Sequence, residues 1–227
     1  MKIPIFNKQQ VPSSSRSREA VARVSSLLIP KLENLGLSYG TPIFIRIFKE
    51  ERELEFWLRQ GKKYKLFRTY PIAAMSGQLG PKLLEGDGQA PEGFYYVSPS
   101  RMNPKSRFHL SMNLGYPNHY DRVHGRTGSA LMIHGGRASI GCFAMTDANI
   151  EEIYALAEVA LCNGQTFFRV HCFPFRMSEA NMKKYAQSKW DSFWLNLKEG
   201  YDFFETSKLP PDVQVEEKKY VFGKATN

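Results

Sequence analysis

A histidine and a cysteine are the residues of this sequence best suited to perform chemistry together. His134 ends the apolar run LMIH, and Cys142 follows eight residues later in SIGC. A cysteine reacts as its thiolate, whereas a free thiol with a pKa of about 8.5 is mostly protonated at neutral pH. A neighbouring imidazole can accept that proton, so the two residues could be a nucleophile and its base. From spacing alone, a core histidine beside a buried cysteine is an equally good interpretation.

The glycines around the two residues favour the catalytic interpretation. Gly135, Gly136 and Gly141 would let the chain turn tightly between them. Gly141 would also leave the backbone N–H of Cys142 free to point at a developing oxyanion. A helix is predicted to begin just after the cysteine, and the positive end of its dipole favours a nearby anion.

The rest of the chain predicts a mainly β core that positions this segment. Short stretches with apolar alternation or apolar composition, separated by Gly- and Pro-rich turns, are typical of a sandwich or barrel-like sheet structure. The predicted strands are residues 42–48, 53–59, 64–70, 94–97, 108–112, 130–133 and 165–170, with a last one near Val221.

Helices are expected at both ends of this core and once within it. Residues 11–17 are predicted to be a mobile linker, after which Ser17 would cap a helix carrying Val21, Val24 and Leu28, interrupted at Pro30. The other predicted helices are one capped by Thr146 or Asp147 and ending at Asn163-Gly164, residues 178–187, and residues 191–198 ending at Gly200. The predicted regions are therefore a linker and helical segment (1–40), the β core (41–175), and a C-terminal helical extension with a tail (176–227).

The segment IHG…SIGC resembles the signature of the L,D-transpeptidase catalytic domain, the YkuD type. In that family a strand-end histidine acts on the cysteine of an S-x-G-C motif. Upstream, SGQLGPK, GDG and PEGFY resemble the family's Gly-rich strand region. The segments PNHYDR at 117–122, PFRM at 174–177 and NM at 181–182 resemble the YafK-like branch. The resemblance covers about residues 42–200 and implies an L,D-transpeptidase core, mainly β, with α-helical N- and C-terminal extensions.

The resemblance implies catalytic roles for four residues. Cys142 would be the nucleophile and His134 its base. The carbonyl of Gly135 would hold the imidazole in the productive tautomer in place of a carboxylate. The backbone N–H groups of Gly141 and Cys142 would form the oxyanion hole.

Further residues would shape the site. Tyr120 would add a hydroxyl or shape the substrate channel, and Tyr116 is a competing candidate for that role. Ser139 would brace the loop, although a simple turn or capping role suits it equally. The cations nearest in sequence, any of which could bind a substrate carboxylate or lie on a solvated surface, are Arg122, Arg126 and Arg137.

The resemblance also implies the reaction and its partners. The thiolate would attack the carbonyl at the L-centre of diaminopimelate in a peptidoglycan stem peptide, and leave a thioester. An amine acceptor would give a cross-link or anchor a lipoprotein, whereas water would make the enzyme an L,D-carboxypeptidase or an amidase that releases a wall-anchored lipoprotein. The short loop before Cys142 and Ile140, where many members carry His, Asn or Lys, point to the hydrolytic branch. No cofactor or metal is required.

Three other classes of function compete with this one. A zinc site built from His119, His124, His134 and Cys142 matches no familiar ligand spacing, and the sequence contains no CxxC or HExxH. The net charge of +9 would suit nucleic acid, but the basic residues are scattered without a binding motif. A non-catalytic, cationic cell-wall-binding protein remains the alternative from another class.

The sequence leaves the compartment open. No apolar run approaches the roughly 18 residues that would span a bilayer, so no transmembrane segment is predicted. The first ten residues contain no apolar signal region, so the protein is cytoplasmic if Met1 is its native start. The wall substrate implied by the resemblance favours the periplasm. Cys162 and Cys172 could in principle pair, but two small buried thiols are the favoured interpretation.

Overall fold

Three β-sheets contain the named strands of residues 10–223, the part of the chain described by this computed structural model. The strands are β1 (Ile43–Phe48), β2 (Glu53–Gln60), β3 (Lys63–Pro71), β4 (Gly93–Val97), β5 (Met102–Asn103), β6 (Ser111–Asn113), β7 (Met132–His134), β8 (Phe143–Ala144), β9 (Phe168–Phe173), β10 (Asp212–Glu216) and β11 (Lys219–Gly223). The helices are α1 (Ser15–Asn34), α2 (His119–Val123), α3 (Asp147–Cys162), α4 (Glu179–Lys184) and α5 (Asp191–Ser207), with a 3-10 turn at Pro99–Arg101.

The largest sheet has the strand order β3-β2-β1-β9-β4, and a four-stranded sheet has the order β5-β6-β7-β8. Only β1–β9 and β7–β8 are parallel pairs, whereas every other named pair is antiparallel. The remaining pair, β10–β11, forms a C-terminal hairpin. The chain is therefore mainly β with helices toward both ends, as predicted.

Strand β1 is buried on both faces because helices cover each side of the large sheet. Ile43, Ile45 and Ile47 enter the main core together with apolar residues of α1 and α3. On the opposite face, Phe44 packs against Phe204 of α5 at 4.8 Å between ring centroids. The alternating side chains of residues 42–48 thus face two different apolar cores. The outer face of an antiparallel sheet is more commonly polar.

The N-terminal helix is longer than predicted, and two expectations about it are wrong. Residues 15–17 are helical rather than a linker, because Ser14 is the N-cap and Ser17 completes its capping box. Pro30 lies inside the helix and does not interrupt it. The helix continues because Leu28 and Leu32, on either side of the proline, are both fully buried in the main core.

The C-terminal helix also runs further than predicted. It continues through Gly200 to Ser207 because Gly200 is buried beneath the rings of Phe94 and Phe222, which leave no room for a side chain. The hairpin β10–β11, of which only the second strand was predicted, supplies Phe222.

Several shorter elements are displaced from their predicted positions. The strand predicted at 108–112 is limited to Ser111–Asn113, because His109 has a positive φ of 70° that no regular strand allows. The strand predicted at 165–170 begins at Phe168, since the side chain of Gln165 caps the edge of β1 at Ile43 instead. The helix predicted at 178–187 is shortened to Glu179–Lys184, after which turns lead to α5.

The predicted division at 40–41 and 175–176 stays a prediction, although helices from both flanking regions pack directly on the sheets. Parts of the predicted linker and tail, residues 1–9 and 224–227, lie outside the described residues. Cys172 is a buried free thiol and does not pair with Cys162. Across residues 10–223, no helix has the length and hydropathy needed to cross a membrane.

The packing of α1 predicts unequal effects of two adjacent substitutions. Leu28 is fully buried, whereas Leu27 is 61% exposed. Leu28→Ala should lower the free energy of unfolding by about 2–5 kcal/mol, because it leaves a cavity in the core. Leu27→Ala, the matched control, should change it by less than about 0.5 kcal/mol. Urea denaturation measures both, and equal losses would contradict the docking of α1 on the core.

Candidate active site

The parallel pairing of β7 with β8 places the imidazole and the thiol on one face of the small sheet. In this pair His134 lies opposite Ala144, and Cys142 precedes Ala144 by two residues. Because side chains two positions apart share a face, this register directs Cys142, which lies immediately before β8, to the side of the sheet that carries His134. The Met132 N–H donates to the Cys142 Sγ at 3.4 Å, which extends the contact between the strands to the cysteine.

The imidazole of His134 is held in one tautomer. Its Nδ1 lies 2.6 Å from the carbonyl oxygen of Gly135, and because a carbonyl can only accept, Nδ1 carries the proton. Nε2 is therefore the basic nitrogen. The side chain is buried, which lowers the pKa of His134, although the Gly135 carbonyl opposes that shift. At neutral pH this histidine is an uncharged base.

The thiol of Cys142 is also uncharged at neutral pH. Burial raises its pKa, and the Met132 N–H and the ammonium of Lys82 offset only part of that effect. The Sγ donates to the carbonyl of Ala130 at 3.6 Å. Among the hydrogen bonds of residues 10–223, those of this thiol go to Ala130 and Met132 and not to His134. The two groups are therefore a neutral thiol and a neutral base, rather than a preformed ion pair.

The chain after His134 is fixed by backbone hydrogen bonds on both sides. The Gly135 N–H donates to the carbonyl of Phe108 at 3.0 Å, and the Gly136 N–H donates to Asp147 Oδ1 at 2.8 Å. A Cβ at Gly135 would lie 2.7 Å from the Phe108 oxygen, so only glycine fits this close approach. The ring of Phe108 lies over the His134 ring, with 4.6 Å between centroids.

Two serines hold the loop that leads to the cysteine. Ser139 Oγ donates to the carbonyl of Cys142 at 2.7 Å. Gly141 has a φ of 78°, which favours glycine, and its N–H donates to Ser76 Oγ at 2.7 Å. The Gly141 N–H is therefore already engaged by a side chain. The N–H groups of Gly141 and Cys142 were the two donors implied for an oxyanion hole. Since the Ser76 hydroxyl accepts from Gly141, the Cys142 N–H is the donor that this hydroxyl leaves available.

Two open grooves are lined by residues whose backbone contacts the thiol. One, of about 300 Å³, is lined by Ala130, Ile140 and Gly141 together with Lys82. The other, of about 610 Å³, is lined by Met132 and by polar residues that include Asn103, Asn113 and Lys105. Cys142 Sγ contacts the backbone of Ala130 in the first groove and of Met132 in the second, although neither lining includes Cys142 or His134.

An ion pair supports the wall of the smaller groove. Lys82 Nζ lies 2.6 Å from Asp87 Oδ1 and donates to the carbonyl of Leu84. Although partial burial acts in the opposite direction, hydrogen bonds from Lys82 and from three backbone N–H groups lower the pKa of Asp87 to about 2. The Lys82 ammonium is thereby fixed where it can act on the thiol electrostatically.

The two candidate tyrosines lie in different surroundings. Tyr116 donates to the carbonyl of Lys82 at 3.1 Å, directly behind the smaller groove. Tyr120 stacks on Tyr220 of the C-terminal hairpin, with 4.2 Å between parallel rings, and belongs to the second core. Tyr116 thus contacts Lys82 in the wall of the smaller groove, whereas Tyr120 packs in the second core.

The three candidate arginines are also separated. Arg126 is buried in an ion pair with Asp121 at 2.8 Å, and Arg122 donates to the carbonyl of Pro117 on the surface of α2. Arg137 is exposed in the loop that joins His134 to Cys142. Among these three cations, Arg137 is the one that lies on the loop between His134 and Cys142.

The structure also shows contributions that sequence reasoning missed. Phe108, Ser76 and the Lys82–Asp87 pair contact the site from outside the segment that runs from Leu131 to Cys142, and Met132 within that segment contacts the thiol. Ser76 and Lys82 do fall in the Gly-rich stretch SGQLGPK that resembled the family, which was the available signal. No group of three His, Cys, Asp or Glu side chains within residues 10–223 is arranged to hold a metal ion.

Comparison with known proteins gives a family match. A sequence model of the YkuD family, described as the L,D-transpeptidase catalytic domain, matches residues 42–166. The chain is 47% identical over 185 residues to the "Putative L,D-transpeptidase YafK" of Escherichia coli strain K12, and equally to that of Escherichia coli O157:H7. Each alignment covers 82% of this chain and 75% of the relative.

Solved structures show weaker similarity. The helical cell shape determining protein Pgp2 from Campylobacter jejuni aligns with a TM-score of 0.47 and 18% identity, over 82% of this chain and 79% of that one. Bd1075 of Bdellovibrio bacteriovorus aligns with a TM-score of 0.40 and 20% identity, over 73% of this chain and 57% of that one. Scores this low carry no inference about function.

The burial of the thiol predicts how its reactivity depends on pH. Alkylation of Cys142 by iodoacetamide requires the thiolate, so its rate should rise with a midpoint above the ~8.5 of a free cysteine. Peptide mapping by mass spectrometry follows this residue separately from Cys162 and Cys172. A rate that is already maximal at pH 6 would contradict the neutral thiol and indicate a preformed thiolate–imidazolium pair.

Proposed function

The chain belongs to the L,D-transpeptidase catalytic domain family, and we propose that it is a cysteine-dependent enzyme acting on peptidoglycan stem peptides. The observation that carries the proposal is the orientation of His134. Its Nδ1–H is fixed on the Gly135 carbonyl, which leaves the basic Nε2 for the thiol on the adjoining strand. A base held in this tautomer beside a cysteine is the arrangement that nucleophilic catalysis requires.

In the proposed first half-reaction, a stem peptide is cleaved at the L-centre of diaminopimelate. His134 Nε2 takes the proton from Cys142, and the sulfur attacks the carbonyl carbon. The resulting oxyanion accepts a hydrogen bond from the Cys142 backbone N–H. When the C–N bond breaks, His134 returns its proton to the leaving amine, and a thioester on Cys142 remains.

In the second half-reaction, an acceptor attacks the thioester. The acceptor loses a proton to His134, and the proton then returns to the sulfur when the tetrahedral intermediate collapses. The two grooves, whose walls include the thiol's neighbours Ala130 and Met132, would hold the acyl donor and an incoming amine separately. An amine from a second stem peptide would form a cross-link, and one from a lipoprotein would anchor it to the wall.

Hydrolysis is the second candidate for this step, and Ile140 favours it. This residue is 81% exposed at the smaller groove and offers no polar atom to orient an incoming amine. Water needs no such group, so the protein would then be an L,D-carboxypeptidase or an amidase that releases a wall-anchored lipoprotein. Either reaction acts on the cell wall, so the proposal places the protein in the periplasm.

Arg137 is the proposed contact for a substrate carboxylate. Its guanidinium is exposed on the catalytic loop, whereas Arg126 is already paired with a buried aspartate. A guanidinium can bind a carboxylate through two parallel hydrogen bonds. Arg137→Ala should therefore raise KM about tenfold and change kcat little, because the contact binds the ground state and the transition state alike. A fall in kcat at constant KM would contradict this role.

Incubation of the purified protein with muropeptides, followed by mass spectrometry, tests the proposed function. A dimer would show transfer to an amine, and loss of a terminal D-amino acid or of a linked lysine would show hydrolysis. Cys142→Ala should abolish both kinds of product, because no other group replaces the sulfur. Cys162→Ala is the matched control and should retain activity.

Two results would contradict the proposal. Full activity of the Cys142→Ala variant would exclude the thioester route. Absence of any product from the native protein, together with binding to purified cell walls, would instead support a non-catalytic cationic wall-binding protein.

A further inference from the structure

Helix α1 lies before the region that matches the family model, yet it holds the loop over the catalytic histidine. Arg16 donates to the carbonyls of Ser106 and His109, both at 2.9 Å. Ser14 Oγ donates to the carbonyl of Pro104 at 2.8 Å. The start of α1 therefore fastens residues 104–109 at three backbone positions.

The side chain of His109 ties the same loop to two helices. Its Nε2 lies 2.7 Å from Glu151 Oε1 on α3, and Arg23 of α1 donates to both oxygens of that carboxylate. Glu151 is buried, so this charge depends on its two partners. The cluster formed by His109, Glu151 and Arg23 joins α1, α3 and the loop.

His109 is held in a backbone conformation that it would otherwise rarely adopt. Its φ is 70°, in the left-handed region that disfavours residues with a side chain. This conformation brings the preceding residue, Phe108, against the site. The Phe108 carbonyl accepts the Gly135 N–H, and its ring covers the imidazole of His134.

These contacts position the two groups that orient the His134 imidazole, which are the Phe108 ring and the Gly135 carbonyl. The ring of Phe108 limits rotation of the imidazole, and the Phe108 carbonyl holds the N–H of Gly135, the residue whose own carbonyl accepts from Nδ1. We propose that His109 is a positioning residue, which acts with Glu151 and helix α1 through Phe108 to keep Nε2 of His134 directed at Cys142. This inference rests on the proposed function, because it assigns His134 the role of base.

The neighbouring glutamate on α3 provides a matched control. Glu152 forms an ion pair with Arg68 at 2.7 Å, as Glu151 does with Arg23 at 2.6 Å. The arginines are 45% and 57% exposed, respectively, so the two pairs are similar. The Glu152 pair, however, contacts strand β3 and not the loop over His134.

The test compares Glu151→Gln with Glu152→Gln in the full chain, by muropeptide turnover and by ¹⁵N NMR of the histidine side chains. Glu151→Gln should lower kcat about tenfold to a hundredfold with KM unchanged, since small displacements of a catalytic group cost rate rather than binding. The His134 resonances should change from a single Nδ1–H tautomer to a mixture. Glu152→Gln should leave kcat and the tautomer as they are.

Substitutions of His109 separate positioning from folding. His109→Gln, which retains a side-chain N–H for Glu151, should restore most of the kcat that His109→Leu loses. Equal kcat in Glu151→Gln and Glu152→Gln, with an unchanged His134 tautomer, would overturn the positioning role even if Cys142→Ala is inactive. The proposed function itself fails only if the Cys142→Ala variant keeps its activity or the native protein has none.

Discussion

The parallel contact between β7 and β8 is the constraint on which the site depends. These strands have three and two residues, too few to be stable alone, yet their register decides that His134 and Cys142 share a face. The surrounding chain holds them in place. Strand β6 pairs with the outer side of β7, and Ala74 forms a β-bridge with Ala144 beyond β8. The short pair of strands β7 and β8 is thus stabilised by contacts at both edges.

Burial gives the site its electrostatic character. Burial favours the uncharged forms of the imidazole and of the thiol. The imidazole therefore stays unprotonated at Nε2, and the thiol keeps its proton. Reactivity then depends on orientation rather than on a preformed charge. This explains why so many contacts converge on backbone near the base: the carbonyl of Gly135 fixes its tautomer, Phe108 covers its ring, and Asp147 holds the turn that follows.

Much of this arrangement was predictable, because local patterns encode it. The alternation in 42–48 located β1, and IHG…SIGC located the histidine and the cysteine. Long-range contacts were not legible from the sequence. The stacking of Tyr120 on Tyr220 depends on a hairpin one hundred residues later, and the continuation of α1 past Pro30 depends on burial of Leu28 and Leu32. Motifs therefore located the two residues that we propose react, whereas packing decided which other candidates lie near them.

The proposed chemistry requires that His134 make Cys142 nucleophilic. The most direct measurement is the rate of thioester formation on the intact protein with a tetrapeptide donor, followed by mass spectrometry from pH 5 to 9. We expect the native rate to fall only below the usual histidine pKa of about 6.5. We expect His134→Gln to form the adduct at least a hundredfold more slowly, an order of magnitude typical of losing a general base. Equal rates in the two proteins would contradict the claim.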